Sequence, residues 1–503
     1  MTWPGERRAA RRVRLVPVLV GLSALSWFAT GCGPGHPAAR PAVATEPAPR
    51  VAATSLDPAT CRYDVKAVRA TAGLDVTVRC TGAVTSGFRA DPHVASFTAD
   101  VRDARGTPLT REGNRWAVSA SNDVEIHYRV DLDGAAREEG DVDTAMAVGG
   151  SLVAPLSSYA LVPDPPRAGT ALLHVEPLPG TEFVTVLPLR GDDFTIALGD
   201  IPNATYGVFG RFEHDVERLP GVHGAAQLDV VSLDGGFALS RDERRRWIAR
   251  DAAAVTRFYG GFPAEHVGVV LTPVPGRDRV VFGKVLSTGG STVVMLVGED
   301  TKRAALDSDW VLVHEMFHIG FPTLSRGAGL WLDEGLATYA EPLIRARAGM
   351  LTEEQGWAEV VRDMPRGVRL CETAGLEHFD DIRSVYWGGA VVALLADVEA
   401  RRLTNGERGL EQALRAMLAR GWDARRVVPL RDAIRLVDDE LGNPILAGLA
   451  ASYADHGSPV PLDRVLTELG IERRDHSVRL HDDAPLAAMR RAIMYGATTE
   501  ARR

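Results

Sequence analysis

An apolar helical run with two histidines constrains this chain more than any other feature. Residues 310–318 read WVLVHEMFH, so nearly every face of the predicted helix is apolar. Such a helix must be covered on most sides, which requires a domain with a sizeable core. Ser308 or Asp309 is predicted to cap its start. His314 and His318 are four residues apart and share one face, so both imidazoles can converge on one ion.

Glu315 lies between the two histidines and gives the pattern its chemistry. Buried histidine and glutamate side chains need polar partners, and a metal ion supplies them. In an HExxH helix the glutamate lies beside the open coordination position, where it can take a proton from water. The pattern predicts one Zn²⁺ ion with Glu315 as general base. The alternative, two core histidines bonded to backbone, does not explain Glu315.

A third ligand is expected, because catalytic zinc usually has three protein ligands and an open position. Glu334 follows His318 by sixteen residues, inside the segment WLDEGLATY of residues 331–339. The intervening loop, residues 320–329, contains a proline and three glycines, enough to reverse the chain. A second helix packed antiparallel to the first would return Glu334 to the histidines. The sequence therefore predicts a His₂Glu site.

The hydrophobic period changes along the chain and predicts a multidomain α+β protein. Residues 58–235 alternate polar and apolar positions between turns, which indicates antiparallel sheets in a β-sandwich. Helices begin near Ser240, where Glu243 completes a capping box. Residues 236–380 carry the zinc pattern, and residues 381–503 have a helical pattern broken near three glycine positions: Gly406, Gly421 and Gly442.

The N-terminal segment is typical of an export signal. Residues 1–32 begin with five arginines and continue into an apolar stretch too short to span a membrane comfortably. The segment ends on Ala-Thr-Gly-Cys, which resembles a bacterial lipoprotein box, so Cys32 is a candidate for lipidation. Residues 33–57 are rich in proline and alanine and are predicted to be a linker. We expect a lipoprotein on the outer face of the bacterial cell membrane, or a secreted protein after simple cleavage.

Charge and cysteine content exclude some classes of partner. The formal net charge is −9, so nothing here predicts binding to nucleic acid or to an anionic membrane. Membrane contact is expected only through a lipid on Cys32. Cys61 and Cys80 lie in the β-rich segment and are predicted to form either a disulfide or two buried thiols. Cys371 has no obvious partner, and the chain has no CxxC pattern.

The zinc pattern also carries a family resemblance. HExxH followed by WLDEGLATYAE resembles the gluzincin peptidases, and within them the aminopeptidase N-like and glycyl-aminopeptidase-like families. The resemblance implies a zinc metallopeptidase acting on peptides or proteins, with a thermolysin-like catalytic domain between a β-rich region and a helical region. It also implies that Tyr386, in the segment YWGGA, steadies the oxyanion, although Gly388 replaces the usual lysine. The alternative for Tyr386 is a packed helix tyrosine.

One segment departs from the aminopeptidase N-like pattern. Those enzymes have a Gly-x-Met-Glu-Asn segment whose glutamate grips the free amine of the substrate. At the matching distance this chain has STGGST, residues 287–292, without an acid. Gly289 and Gly290 could let an extended substrate pair along a strand edge, or could belong to an ordinary loop. Cleavage at the end or in the middle of a peptide therefore stays open.

Alternatives remain for the roles of two acidic residues and for the function of the protein. Asp333 and Glu341 lie near the predicted ligands and could orient a histidine, but solvated helix positions fit the pattern better. A non-catalytic, membrane-tethered lipoprotein that uses a gluzincin scaffold for binding is the main alternative function. A zinc hydrolase with a non-peptide substrate is the third.

Overall fold

The structure is a computed structural model that describes residues 59–68, 73–325 and 327–496. The predicted signal peptide, the linker and Cys32 lie outside the described residues. Within them, no helix has the length and apolar character needed to cross a membrane.

The first part of the described chain is rich in β-strands, as predicted. One sheet has the strand order β11-β12-β9-β1-β2-β5-β3, with β4 paired to β5 and β8 to β2, and a second has the order β10-β13-β7-β6. The one α-helix described between these strands is α1 (Leu132–Glu138). The strands are β1 (Ala59–Ala67), β2 (Gly73–Arg89), β3 (Thr98–Asp103), β4 (Arg111–Glu112), β5 (Arg115–Asp131), β6 (Met146–Val148), β7 (Ser151–Pro155), β8 (Val162–Asp164), β9 (Gly169–Glu176), β10 (Glu182–Thr185), β11 (Leu189–Arg190), β12 (Asp193–Ala197) and β13 (Tyr206–Gly210).

Both sheets contribute to one apolar core. Tyr63 and Val76 of the larger sheet and Leu152 and Phe209 of the smaller one belong to the same buried cluster. Alternate residues of β1 are buried, which is the period-2 pattern of a half-covered strand.

Cys61 and Cys80 face each other on the neighbouring strands β1 and β2 and form a disulfide. Of the two predicted alternatives, the structure therefore contains the disulfide.

A separate five-stranded sheet follows, in the order β14-β15-β16-β18-β17. The first two strands of this sheet, β14 and β15, lie in the segment 58–235 that was predicted to be β-rich. β15 nevertheless pairs in parallel with β16, which lies beyond that segment. The chain passes from the four-stranded sheet to this one at Arg211, before the predicted domain boundary at residue 235. An alternating pattern indicates a strand but not the strand with which it pairs. β17 is an edge strand, antiparallel to β18. The strands are β14 (Phe212–Gly221), β15 (Gly224–Leu233), β16 (His266–Val274), β17 (Val280–Leu286) and β18 (Ser291–Gly298).

The remainder is mainly helical, as predicted. The capping box at Ser240 is present, with reciprocal bonds to Glu243. The three glycines predicted as breaks all fall outside helices and have positive φ. The helices are α2 (Arg241–Tyr259), α3 (Arg303–Asp307), α4 (Val311–His318), α5 (Leu330–Arg347), α6 (Glu353–Val361), α7 (Met364–Glu372), α8 (Ile382–Leu403), α9 (Leu410–Ala419), α10 (Leu430–Leu441), α11 (Ile445–Tyr453), α12 (Leu462–Leu469) and α13 (Ala487–Tyr495), with short strand pairs β19 (Thr323–Leu324) with β20 (Val427–Val428) and β21 (Ile471–Arg473) with β22 (Val478–Leu480).

Helices α5 and α8 touch through their backbones. A Cβ added to Gly335 would lie 2.3 Å from the Cα of Gly389, and one added to Gly389 would lie 1.8 Å from the carbonyl oxygen of Trp331. Only glycine allows this approach. Near this crossing, Glu334 and Tyr386 are each the fifth residue of their helix.

Candidate active site

Helix α4 is fixed at both ends by side chains. The carboxylate of Asp309 accepts from the backbone N–H of Val311 at 3.2 Å and of Leu312 at 3.4 Å, so Asp309 caps the helix. Ser308 instead donates to the carbonyl of Ala305, at 3.2 Å. At the other end, Tyr259 on α2 donates to the carbonyl of Phe317 at 2.9 Å. The histidine pair is therefore held in a well-anchored helix.

The start of α5 is fixed by Glu377. Its Oε1 atom accepts from the backbone N–H of Gly329 and from Nε1 of Trp331, both at 2.9 Å. Gly329 has a φ of 90°, a left-handed conformation that suits glycine at the turn into the helix. Glu377 was not singled out in the sequence, because nothing local connects it to α5.

The three predicted ligands converge. The Oε2 atom of Glu334 lies 3.1 Å from Nε2 of His314 and 3.6 Å from Nε2 of His318. One ligand atom from each residue lies within 4.8 Å of the others. Nitrogen from two histidines and oxygen from one carboxylate is a donor set typical of catalytic zinc.

The electrostatics of the three residues suit a cation. Burial raises the pKa of Glu334, but the two histidines outweigh it and hold that pKa well below its usual range. Burial lowers the pKa of His318, while Asp333 and Glu334 raise it well above its usual value. Nδ1 of His314 is buried without a hydrogen-bond partner among the described residues. An ionised carboxylate between two buried imidazoles is an arrangement that a divalent ion stabilises, and the residues therefore fit zinc.

Glu315 lies next to the ligands without joining them. Burial raises the pKa of its carboxyl, while His314, His318 and the backbone N–H of Val285 lower it. Its Cγ lies against Gly283 of β17, where an added Cβ would be only 2.6 Å away. Gly283 was not predicted as a site residue from the sequence, although a glycine inside an apolar strand is a known sign of close approach.

Tyr386, at the start of the second turn of α8, also lies at the site. Its ring stacks on that of His314 at a centroid distance of 6.4 Å and an interplanar angle of 13°. Burial, and then the charge of Glu334 and a hydrogen bond to it, raise the pKa of Tyr386 well above its usual value. The hydroxyl is therefore a neutral donor beside the predicted metal ligands.

Gly289 and Gly290 pack against the N-terminal sheets. A Cβ on Gly289 would meet Leu187 at 2.7 Å and Ile196 at 2.9 Å, and one on Gly290 would meet the carbonyl oxygen of Val186 at 2.6 Å. Contact of these two glycines with substrate stays a prediction.

Asp333 and Glu341 have different roles, and neither has the solvated position that the pattern favoured. Asp333 Oδ1 accepts from Nδ1 of His318 at 2.8 Å, so it orients that histidine. Glu341 is buried and pairs with Arg345 at 2.7 Å rather than with a histidine. Helical spacing alone could not separate them, because the outcome depends on which elements pack against α5.

No protein-family model matches the chain, and no curated protein matches its sequence. Its fold is similar to that of an aminopeptidase N family protein from Idiomarina loihiensis, with a TM-score of 0.62 and 14% identity over 82% of this chain and 78% of that one. A variant of the M1 zinc metallopeptidase from Deinococcus radiodurans, bound to Tyr-Ser-Ala, has a TM-score of 0.50 and 17% identity over 80% of this chain and 96% of that one. Legionella pneumophila aminopeptidase A, in complex with aspartic acid, has a TM-score of 0.50 and 13% identity over 80% of this chain and 50% of that one. The resemblance read from the motifs is thus confirmed in the fold, which these solved M1 aminopeptidase N-like zinc metallopeptidases share with this chain.

Proposed function

We propose that this protein is a zinc metallopeptidase that hydrolyses peptide bonds, with the zinc motif in a thermolysin-like catalytic domain. The observation that carries the proposal is the convergence of His314, His318 and Glu334, with Glu315 beside them and outside the ligand set. The M1-like fold supports it, and the peptides and amino acids bound to similar structures favour a peptide substrate.

His314, His318 and Glu334 would hold one zinc ion. When bound, zinc would supply Lewis acidity to the reacting carbonyl. Asp333 would keep Nε2 of His318 free for the ion by accepting a hydrogen bond from the protonated Nδ1.

Glu315 would act as the general base and then as the acid. Its carboxylate would take a proton from the attacking water and deliver it to the leaving amine. Burial, which raises its pKa, moves that carboxyl towards the range in which both transfers are favourable.

Tyr386 would stabilise the negative charge that develops on the carbonyl oxygen. Because its hydroxyl stays protonated, it can donate a hydrogen bond to that oxygen. Its stacking on His314 places the donor beside the metal ligands.

A peptide-library digest with the mature chain tests the proposal. The wild-type protein is expected to bind one zinc per chain and to cleave peptides only when the metal is present. Glu315→Gln should keep the zinc and lose at least roughly 100-fold in rate, because a positioned base contributes about that much or more. Glu407→Gln, at an exposed glutamate, is the matched control and should cleave normally.

The digest also separates the alternatives. Zinc binding without cleavage of any peptide would favour the tethered binding protein or a hydrolase of another substrate. A chain that binds no zinc would overturn the metal site. The position of the cut in each product would show whether the enzyme acts on peptide ends or inside peptides.

We also propose that the protein is exported, as a lipoprotein through Cys32 or in secreted form. The basic and apolar N-terminus supports export, and the disulfide of Cys61 with Cys80 suits an oxidising compartment. Cell fractionation tests this proposal. If the lipid is present, the wild type should be found with the membranes and Cys32→Ser in the soluble exported fraction. Recovery of both from the cytoplasm would contradict export.

A further inference from the structure

The edge strand β17 lies directly against the helix that carries Glu315. A Cβ added to Gly283 would lie 2.6 Å from Cγ of Glu315, 2.8 Å from Cγ1 of Val311 and 3.1 Å from Sδ of Met295. Non-bonded carbon atoms prefer separations of about 3.5–4.0 Å. Even the smallest side chain at position 283 would therefore push against Glu315.

The backbone conformation does not require glycine at this position. Gly283 is not among the residues with positive φ, so an L-amino acid could adopt its φ and ψ. Glycine inside a strand lowers stability relative to alanine, because it loses more backbone freedom on folding. What glycine provides here is space, and Glu315 is one of the groups that fill it.

We propose that Gly283 is a positioning residue for the general base: the missing side chain of Gly283 leaves the space that the Glu315 side chain occupies, and so fixes where the Glu315 carboxylate lies. This inference rests on the proposed peptidase function. It adds a residue from the edge strand to a site whose other parts come from helices α4, α5 and α8.

Gly283→Ala tests the inference in the zinc-loaded, full-length protein. Restoring a normal contact would displace Glu315 by roughly 1 Å, and a displacement of that size can cost about 100-fold in rate. We expect kcat to fall about 10- to 100-fold, while KM changes less than about twofold. Zinc bound per chain should not change, because none of the three atoms nearest to the added methyl group belongs to a ligand.

Gly268→Ala in β16 is the matched control. A Cβ there meets Thr292 at 3.1 and 3.2 Å and Val186 at 3.3 Å, so the crowding is in the same sheet but away from Glu315. Its kcat should stay at the wild-type value. A crystal structure of Gly283→Ala provides a readout that needs no activity, and it should show the Glu315 carboxylate shifted relative to the His314 and His318 rings.

Gly283→Ala/Val311→Ala covers the case in which the single variant does not fold. The double variant removes the close contact of the added methyl group with Val311 and leaves its contact with Glu315. It should therefore fold and show the same loss in kcat. Wild-type kcat in either folded variant, or an unmoved Glu315 in the crystal, would overturn the inference while the peptidase stands. Failure of both variants to fold would also overturn it, because Gly283 would then be a structural requirement. A wild type that cleaves no peptide would count against the proposed function, and the crystal structure would still test the contact.

Discussion

At the residue scale, the carboxylate of Asp333 contacts one of the predicted zinc ligands. It lies 2.8 Å from Nδ1 of His318, while Nδ1 of His314 has no hydrogen-bond partner in the described chain. Carboxylates in this position orient the ring and make the other nitrogen a better ligand.

Asp333→Ala is expected to weaken zinc binding about 10- to 100-fold, the range typical for loss of such a partner. Competition with a chromophoric chelator measures the Kd. Asp333→Asn keeps an acceptor oxygen in place and serves as the control, with a smaller loss. An unchanged Kd for Asp333→Ala would show that the hydrogen bond does not support the metal site.

The sequence singled out three residues that the structure brings together, His314, His318 and Glu334, but not the residues around them. Helix periodicity puts the two histidines on one face, whereas Glu334 was placed by the need for a third ligand from a returning second helix. Asp333 and Gly283 could not be assigned, because their roles depend on contacts with other elements. Asp333 meets a histidine on another helix, and Gly283 meets Glu315 across a strand–helix interface.

At the scale of elements, a buried ion cluster joins α5 to α6. Arg345 donates to the carboxylate of Glu359 at 2.7 and 2.9 Å, and Glu341 lies on the other side of the same guanidinium. Burial raises the pKa of Glu341 to about 8, with Arg345 opposing the shift. Burial likewise raises the pKa of Asp251 to about 7. Near neutral pH, Arg345 is therefore balanced by Glu359, and Glu341 is largely protonated.

This cluster predicts a stability that falls as pH rises. The pKa of Glu341 is about 8 in the folded protein against an ordinary 4.5, so the folded state holds a proton that the unfolded chain releases. The stabilisation is fully present below about pH 4.5 and is lost as pH rises towards 8, at no more than about 1.4 kcal/mol per pH unit for one proton. Asp251 adds a contribution of the same sign at lower pH.

Urea unfolding between pH 5 and 8 measures this slope. Glu341→Gln, which is neutral throughout, should flatten this slope most near pH 6, midway between the two pKa values of Glu341, and less above pH 7, where the folded carboxyl begins to ionise. Glu354→Gln, at an exposed position on α6, is the control and should keep the wild-type slope. A wild-type slope in Glu341→Gln would mean that Glu341 is ionised in the folded state.

Elements were predicted more reliably than their partners. The capping box of α2 and the glycine breaks in the helical region are local signals, and the structure contains them. The pairing of β15 with β16 could not be predicted from the strand pattern, because strand pairing is decided by distant residues. β15 finds β16 only after the whole of α2 has intervened.

At the scale of the whole molecule, the β-rich part and the zinc-bearing part share an apolar interface. Val153 and Val208 of the four-stranded sheet are buried in one cluster with Val231, Val270 and Val294 of the five-stranded sheet. Arg211 alone separates β13 from β14 along the chain. Separation of the two parts would expose this cluster, so we expect residues 59–496 to unfold as one cooperative unit.

Zinc binding should therefore stabilise strands far from the metal. A ligand that binds only the folded state adds about 2.7 kcal/mol when its free concentration is 100 times its Kd. If unfolding is cooperative, calorimetry should show one transition that zinc moves to higher temperature, and hydrogen exchange should slow in β1 and β2 as well as in α4. His314→Ala, which removes a ligand, should abolish both effects. Two unfolding transitions, of which zinc moves only one, would show instead that the interface is too weak to couple the two parts. Hydrogen exchange in β1 and β2 would then be unchanged by zinc.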